Sequence, residues 1–247
     1  MSDRELLLNC ISDLRLYLHQ RYGLPLKDPR VIHERPSRGT PNTSAPSDPR
    51  TEGQSPSTAK SLEDLQKILG DCRRCGLCEG RTNIVFGDGP SSAELLIVGE
   101  APGAEEDLQA KPFVGRSGQL LTKMLQALDL SREQVYITNV VKCRPPQNRN
   151  PKPDEVASCA PFLIEQIRIV RPKLLLALGT FAAQTILQTN EPIMRLRGKP
   201  YTYAGLPLII TLHPAACLYN PSNKKYVWED IKNIPTLLKT EVKPSPR

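Results

Sequence analysis

Long apolar runs are missing from this 247-residue chain. None approaches the roughly 18 residues that a membrane span needs, which argues against an integral membrane protein. The first residues, MSDRELLLNC, carry no basic region, no extended apolar stretch and no small-residue cleavage site. No secretory signal is therefore expected, and the cytoplasm is the expected compartment. Aromatics are scarce, at 5% of the chain with only four Phe. There is no even set of cysteines either: the count is seven. An odd number without an export signal argues against a disulfide scaffold, so the cysteines need another explanation. The length allows one large domain or two small ones, and a core that needs no disulfides.

What is present begins with charge. The formal net charge is +7, and the first 60 residues hold nine Lys/Arg against seven Asp/Glu, so most of the excess lies beyond them. There it clusters: Lys142, Arg144, Arg149 and Lys152; Arg195, Arg197 and Lys199; Lys224 and Lys225. Such clusters suit a polyanion, because each neutralised phosphate releases counterions. They also suit a plain solvated surface.

Four segments differ in kind. Over residues 3–21, Leu7, Ile11, Leu14 and Leu18 recur at helical spacing and make one apolar stripe, which Gly23 and Pro25 end. Residues 1–25 thus read as an amphipathic helix with an unknown protein partner or docking face. Residues 26–60 read as a disordered Pro/Ser-rich linker, since 36–60 hold no Val, Ile, Leu, Met or aromatic residue. The folded domain is expected over 61–240, with 241–247 a tail. Within it Leu95–Val98, Val135–Val141, Leu174–Leu178 and Leu208–Leu212 read as buried strands. Helical patterns cover 62–70, 117–129, 153–170, 180–188 and 225–239. Alternation of this kind implies an α/β fold with a mostly parallel sheet covered on both faces. Functional groups then gather at the carboxyl ends of the strands, in 99–107, 139–150, 179–181 and 213–220.

The cysteines are spaced for a metal. Cys72-Arg-Arg-Cys75-Gly-Leu-Cys78 precedes the first strand, Cys143 follows the second, and Cys159 lies in an expected helix. Two thiolates two residues apart reach one metal group from a single turn, and Cys143 and Cys159 supply a second pair. Spacing alone fits zinc and an iron–sulfur cluster equally, and does not choose between the 72/75 and 75/78 pairs. Cys10 and Cys217 read as buried apolar residues.

Five motifs in order, GEAPG (99–103), KPFVG (111–115), TNVVKCRPP (138–146), HPA (213–215) and the cysteine pattern, closely resemble the family-4, iron–sulfur uracil-DNA glycosylases. The resemblance runs from about Leu62 to Leu238. It implies a three-layer α/β/α sandwich around a four-stranded parallel sheet. It implies a structural [4Fe–4S] cluster on Cys72, Cys75, Cys143 and Cys159. It implies a monomeric, cytoplasmic, nucleoid-associated prokaryotic enzyme of base excision repair, whose partner is uracil-containing DNA.

That reaction flips uracil into a pocket and hydrolyses its N-glycosidic bond, leaving an abasic site. The resemblance places His213 as hydrogen-bond donor to uracil O2 and Glu100 as the carboxylate that positions water. Gly99, Ala101 and Glu106 border the base, Glu106 on a short turn and facing the position of a thymine methyl. Phe113, in a loop rather than a periodic core run, is expected to stack on the base. Asn139 carries both a donor and an acceptor, matching uracil N3–H and O4 where cytosine reverses the pattern. Asn148, Arg149, Lys224 and Lys225 are expected at DNA phosphates, and Leu218 or Tyr219 as the wedge entering the duplex. Cys217 replaces the first of two leucines usual after HPA-x. A non-catalytic iron–sulfur nucleic-acid-binding module is the alternative. A covalent uracil-linking relative is disfavoured, because no His lies between His33 and His213.

Overall fold

All four apolar runs form strands, and a fifth joins them. The computed structural model describes residues 55–239; the helix expected over 3–21, most of the expected linker and the tail lie outside that range. Residues 55–60, expected as linker, belong to the fold: Pro56–Thr58 make a 3-10 turn and Ala59 is 3% exposed.

The chain runs α1 (Leu62–Leu69), β1 (Leu95–Gly99), α2 (Ala104–Gln109), α3 (Arg116–Gln126), β2 (Tyr136–Asn139), α4 (Pro153–Val170), β3 (Leu174–Leu178), α5 (Gly179–Leu187), α6 (Ile193–Leu196), β4 (Tyr201–Tyr203), β5 (Leu206–Thr211), α7 (Pro214–Tyr219), α8 (Lys224–Ile231) and α9 (Ile234–Lys239). Strand order is β2-β1-β3-β5-β4, parallel except where β4 pairs antiparallel with β5. The expected four-stranded parallel sheet is thus a five-stranded one with an antiparallel edge. β4 has only three residues, partly exposed, and turns back through Ala204 and Gly205, both at positive φ. A two-residue turn of that kind matches strand twist.

The strand residues alternate between two cores, as a period of two requires. Leu96, Val98, Leu175 and Ala177 face α1, α4 and α5, while Leu95, Ile97, Leu174 and Leu176 face α3, α8 and α9. Every residue of β1, β2 and β3 is buried, which explains why β1 and β3 read as continuous apolar runs. Local signals set the helix ends. The Ser61 hydroxyl accepts from the Asp64 N–H at 3.1 Å, and Gly70 closes α1 at φ +50°. Pro153 opens α4, where the Glu155 carboxylate accepts from the Lys152 N–H at 2.6 Å.

The register brings the ends of β1 and β2 together: Gly99 lies beside Asn139. β1 sits where the strand order reverses, with β2 on one side and β3 on the other. Crevices at the carboxyl ends of such strands are where α/β sheets bind ligands.

Candidate active site

The loops after β1, β2 and β5 enclose a cleft of about 340 Å³ lined by Glu100, Ala101, Glu106, Phe113, Asn139, Asn148, Arg149, His213 and Tyr219, among others. Gly99 lies behind it. A Cβ there would come within 2.4 Å of Asn139 Oδ1 and 2.6 Å of the Phe113 ring, so only glycine lets the two side chains meet.

Asn139 is 1% exposed, and its side-chain oxygen is buried with no hydrogen-bond partner. An unpaired buried oxygen is costly, and such an atom facing a cleft is a place for a ligand donor. Its backbone is held from behind. The Lys142 ammonium, 1% exposed, donates to the Asn139 carbonyl at 2.6 Å, the Thr138 hydroxyl at 2.7 Å and Gln166 Oε1 at 2.7 Å. Burial lowers the Lys142 pKa to about 8. The sequence placed Lys142 in a phosphate-binding cluster; the structure corrects this, because the side chain lies under the strand end and cannot reach solvent. Lys142 and Gln166 were therefore missed. The position of Lys142 directly after the Val140–Val141 apolar pair was the available signal.

His213 caps α7, its Nδ1 accepting from the Ala215 N–H at 3.2 Å. The ring proton is thereby assigned to Nε2. Burial drives the His213 pKa down to about 4, against a smaller opposing pull from Glu106, so the ring is neutral near pH 7. Its ring lies 5.5 Å from that of Phe113. Gly179 at φ +90° gives it room, since a Cβ there would sit 3.0 Å from His213 Cβ. The segment after His213 is helix α7: Pro214 occupies its first position, where a missing N–H costs nothing. Burial also raises the Glu100 pKa above the ordinary carboxylate value.

Glu106 lies on α2, not on a turn, and its carboxylate is occupied. It accepts from Gly103 N–H at 3.1 Å and from Val114 and Gly115 N–H at 2.9 Å each. Capture of three backbone donors makes it a clasp between the loops on either side of α2 as well as a cleft wall. Phe113 adopts φ +53°, a conformation that only a constrained non-glycine residue holds.

The expected DNA contacts divide. Tyr219 is 91% exposed at the end of α7 and lines the cleft, whereas Leu218, 39% exposed, does not line it. Arg149 gives its fork to Glu155, at 2.9 and 2.6 Å, and Arg144 donates to Asn148 Oδ1 at 2.8 Å. Arg197 is spent on Asp230, at 2.9 and 2.8 Å. Lys224 lines a separate apolar groove beside Met124 and Trp228, and Lys225 lies over the Tyr226 ring.

The cysteines form a separate group behind β2. Burial raises Cys143 to about 12 and Cys159 to about 11. Neighbouring thiolates add to this: Cys159 and Cys75 act on Cys143, and Cys72 and Cys75 act on Cys159. Cys78 acts on Cys75. Nitrogen donors meet three of the sulfurs: Arg74 on Cys72 at 3.3 Å, Arg81 on Cys143 at 3.5 Å, and the Lys142 N–H on Cys159 at 3.3 Å. Among the described residues no three His, Cys, Asp or Glu side chains are grouped closely enough for one metal ion. Cys217 is buried at 2% exposure, as an apolar residue would be.

A model of the uracil DNA glycosylase superfamily matches residues 86–232. The chain is 45% identical to the type-4 uracil-DNA glycosylase of Sulfurisphaera tokodaii, over 70% of its own length and 83% of the relative's. It belongs to that family. The type-4 enzyme of Archaeoglobus fulgidus is 44% identical, over 71% and 92% of the two chains, and that of Thermotoga maritima 42%, over 72% and 97%. In this glycosylase the residues expected to handle the base, Glu100, Ala101, Glu106, Phe113, Asn139 and His213, meet at one cleft. Of the basic residues expected on DNA, Arg149 lines this cleft while paired with Glu155, and Lys224 and Lys225 lie beside Trp228 and over the Tyr226 ring.

Proposed function

We propose that this glycosylase takes uracil, flipped from DNA, into the cleft between Phe113 and Asn139 and hydrolyses its N-glycosidic bond. The observation that carries this reading is the partnerless buried oxygen of Asn139 at the cleft. Uracil N3–H donates to that oxygen and the amide nitrogen donates to O4. Cytosine would set donor against donor. Phe113 supplies the stacking face.

As the C1′–N1 bond breaks, its electron pair moves into the uracil ring and O2 gains charge. The neutral His213 donates from Nε2 to that oxygen. A neutral donor already fixed in position stabilises the developing anion without reorganisation. Glu100 orients water on the sugar and accepts its proton as oxygen joins C1′. The products are uracil and an abasic site. A uracil-containing oligonucleotide tests this directly: free uracil should appear and the strand should break in hot alkali. No release by iron-loaded protein would overturn the reading. The non-catalytic alternative draws no support from the relatives or from this intact cleft.

Tyr219, the most exposed aromatic at the rim, is assigned as the wedge. Tyr219→Ala should lower kcat/KM on double-stranded uracil DNA about 10-fold or more, from about 1–3 kcal/mol of lost stacking, with a smaller loss on single strands and a smaller effect for Leu218→Ala. Equal losses on both substrates would exclude that role.

Cys72, Cys75, Cys143 and Cys159 are proposed to hold a [4Fe–4S] cluster. The donor set fits: Cys75 and Cys159 act on Cys143, Cys72 and Cys75 act on Cys159, and N–H groups meet the sulfurs of Cys72, Cys143 and Cys159. A four-iron cluster takes each thiolate on a different iron, so it suits sulfurs that are neighbours without closing on a single ion. Bound there, it would cross-link the segment before β1 to the β2 loop and α4. Cys143→Ser should lose iron and lower Tm by about 10 °C, at roughly 2–4 °C per kcal/mol, while Cys78→Ser keeps its iron. Unchanged iron in Cys143→Ser would refute the assignment. One chain supplies every residue of the reaction, so a monomer acting on DNA in the cytoplasm is proposed; no described helix is long and apolar enough to cross a membrane.

A further inference from the structure

We infer that Arg132, which lies outside the motifs around the cleft, is a positioning residue that holds the Phe113 stacking platform in place. The inference rests on the reading that Phe113 stacks on the flipped base. Phe113 is held in the left-handed region at φ +53°, where a bulky side chain does not rest unaided. Its backbone is gripped from two sides. On one, Glu106 accepts from the N–H groups of Val114 and Gly115. On the other, the Arg132 fork donates to the Phe113 carbonyl at 2.8 Å and to the Pro112 carbonyl. Beneath, Gly118 leaves the room that the Phe113 carbonyl fills: a Cβ at 118 would meet that oxygen at 1.9 Å.

Arg132 is itself anchored. Its side chain is 18% exposed, and Nε lies 3.8 Å from the Asp88 carboxylate. Asp88 exchanges both backbone hydrogen bonds with Ile137 in β2, at 2.9 and 2.8 Å. The turn Arg132–Gln134 that carries the guanidinium leads directly into β2, and its start is fixed by the Ser131 N–H donating to Gln134 Oε1 at 2.7 Å. One strand therefore indexes both sides of the base. β2 ends in the reader Asn139 and begins from the turn that clamps the stacking ring. Two adjacent carbonyls suit a planar fork with several donors, and a lysine ammonium is a poor substitute for it.

Uracil release is measured for wild type, Arg132→Met, Arg132→Lys, Phe113→Ala and Arg132→Met/Phe113→Ala, with Tm and iron content for each. A displacement of about an ångström remote from the chemistry can cost about 10²-fold. Arg132→Met is therefore expected to lose about 10- to 100-fold in kcat/KM. Arg132→Lys, which keeps the charge beside Asp88, should fall between it and wild type and keeps the comparison available if Arg132→Met folds poorly. In the Phe113→Ala background the Arg132 substitution should cost less than about twofold, because the ring it positions is gone. Equal losses in both backgrounds would overturn the inference, as a general structural role predicts them. So would full activity of Arg132→Met beside an impaired Phe113→Ala. Full activity of Phe113→Ala would instead refute the stacking reading on which the inference rests.

Discussion

Replacing Asn139 by Ala is expected to lower kcat/KM for uracil release about 10³-fold without lowering the melting temperature. The loss follows from two hydrogen bonds in a buried site. Leaving each uracil group unpaired there costs about 1–3 kcal/mol, so about 4 kcal/mol together, or about 10³ in rate. The thermal expectation follows from the free protein. The Asn139 side-chain oxygen already lacks a partner, so its removal breaks no hydrogen bond made by that atom. The bonds that hold the strand end reach the Asn139 carbonyl and the Thr138 hydroxyl, which the substitution leaves alone. Activity lost together with several degrees of Tm would mean that Asn139 is a structural residue. Activity retained would remove the reader from the mechanism. A site that holds an unsatisfied polar atom for its substrate gives up stability for function.

Asn139 became a candidate through the resemblance of the 138–146 motif, since the expected strand ran on to Val141 while β2 ends at Asn139; periodicity placed only the neighbourhood of the strand end. Periodicity did place Glu100 directly after β1 and His213 just after β5, and the resemblance supplied their expected roles. β4 was not legible: three residues cannot show alternation, and Ala204-Gly205 is a weaker turn signal than Asn-Gly. α7 follows a local rule: Pro214 occupies the first helical position after the capping His213, where proline starts helices. The charges were the least legible. Lys142, Arg149 and Arg197 look alike in sequence, yet one is buried under a strand, one is paired with Glu155 and one with Asp230. Composition counts charge but cannot see its partner. Arg132 carries no motif at all, and its role depends on carbonyls about 20 residues earlier in the chain.

His213→Asn should lower kcat about 10²- to 10³-fold with little change in KM, the range for losing one preorganised donor to a developing oxyanion. Asparagine is chosen because it caps helices well, so α7 keeps its acceptor for the Ala215 N–H. The same substitution has a signature in stability. His213 is the one histidine among the described residues, and its pKa is about 4 in the fold against about 6.5 unfolded. A depressed pKa means that the unfolded chain binds the proton first. Stability attributable to the neutral ring is full above pH 6.5 and declines as pH falls towards 4. Between pH 6.5 and 5 the decline is about 2 kcal/mol. Denaturant melts at these two pH values should show it in wild type and not in His213→Asn. Activity follows a different group over the same range. Glu100 must be ionised to take the proton of water, and its pKa is raised by burial, so the acid limb of kcat should lie above the ordinary carboxylate range and disappear in Glu100→Gln. A limb in kcat that moves with His213→Asn instead would mean that the histidine works as a charged acid, contrary to the neutral donor that its burial requires.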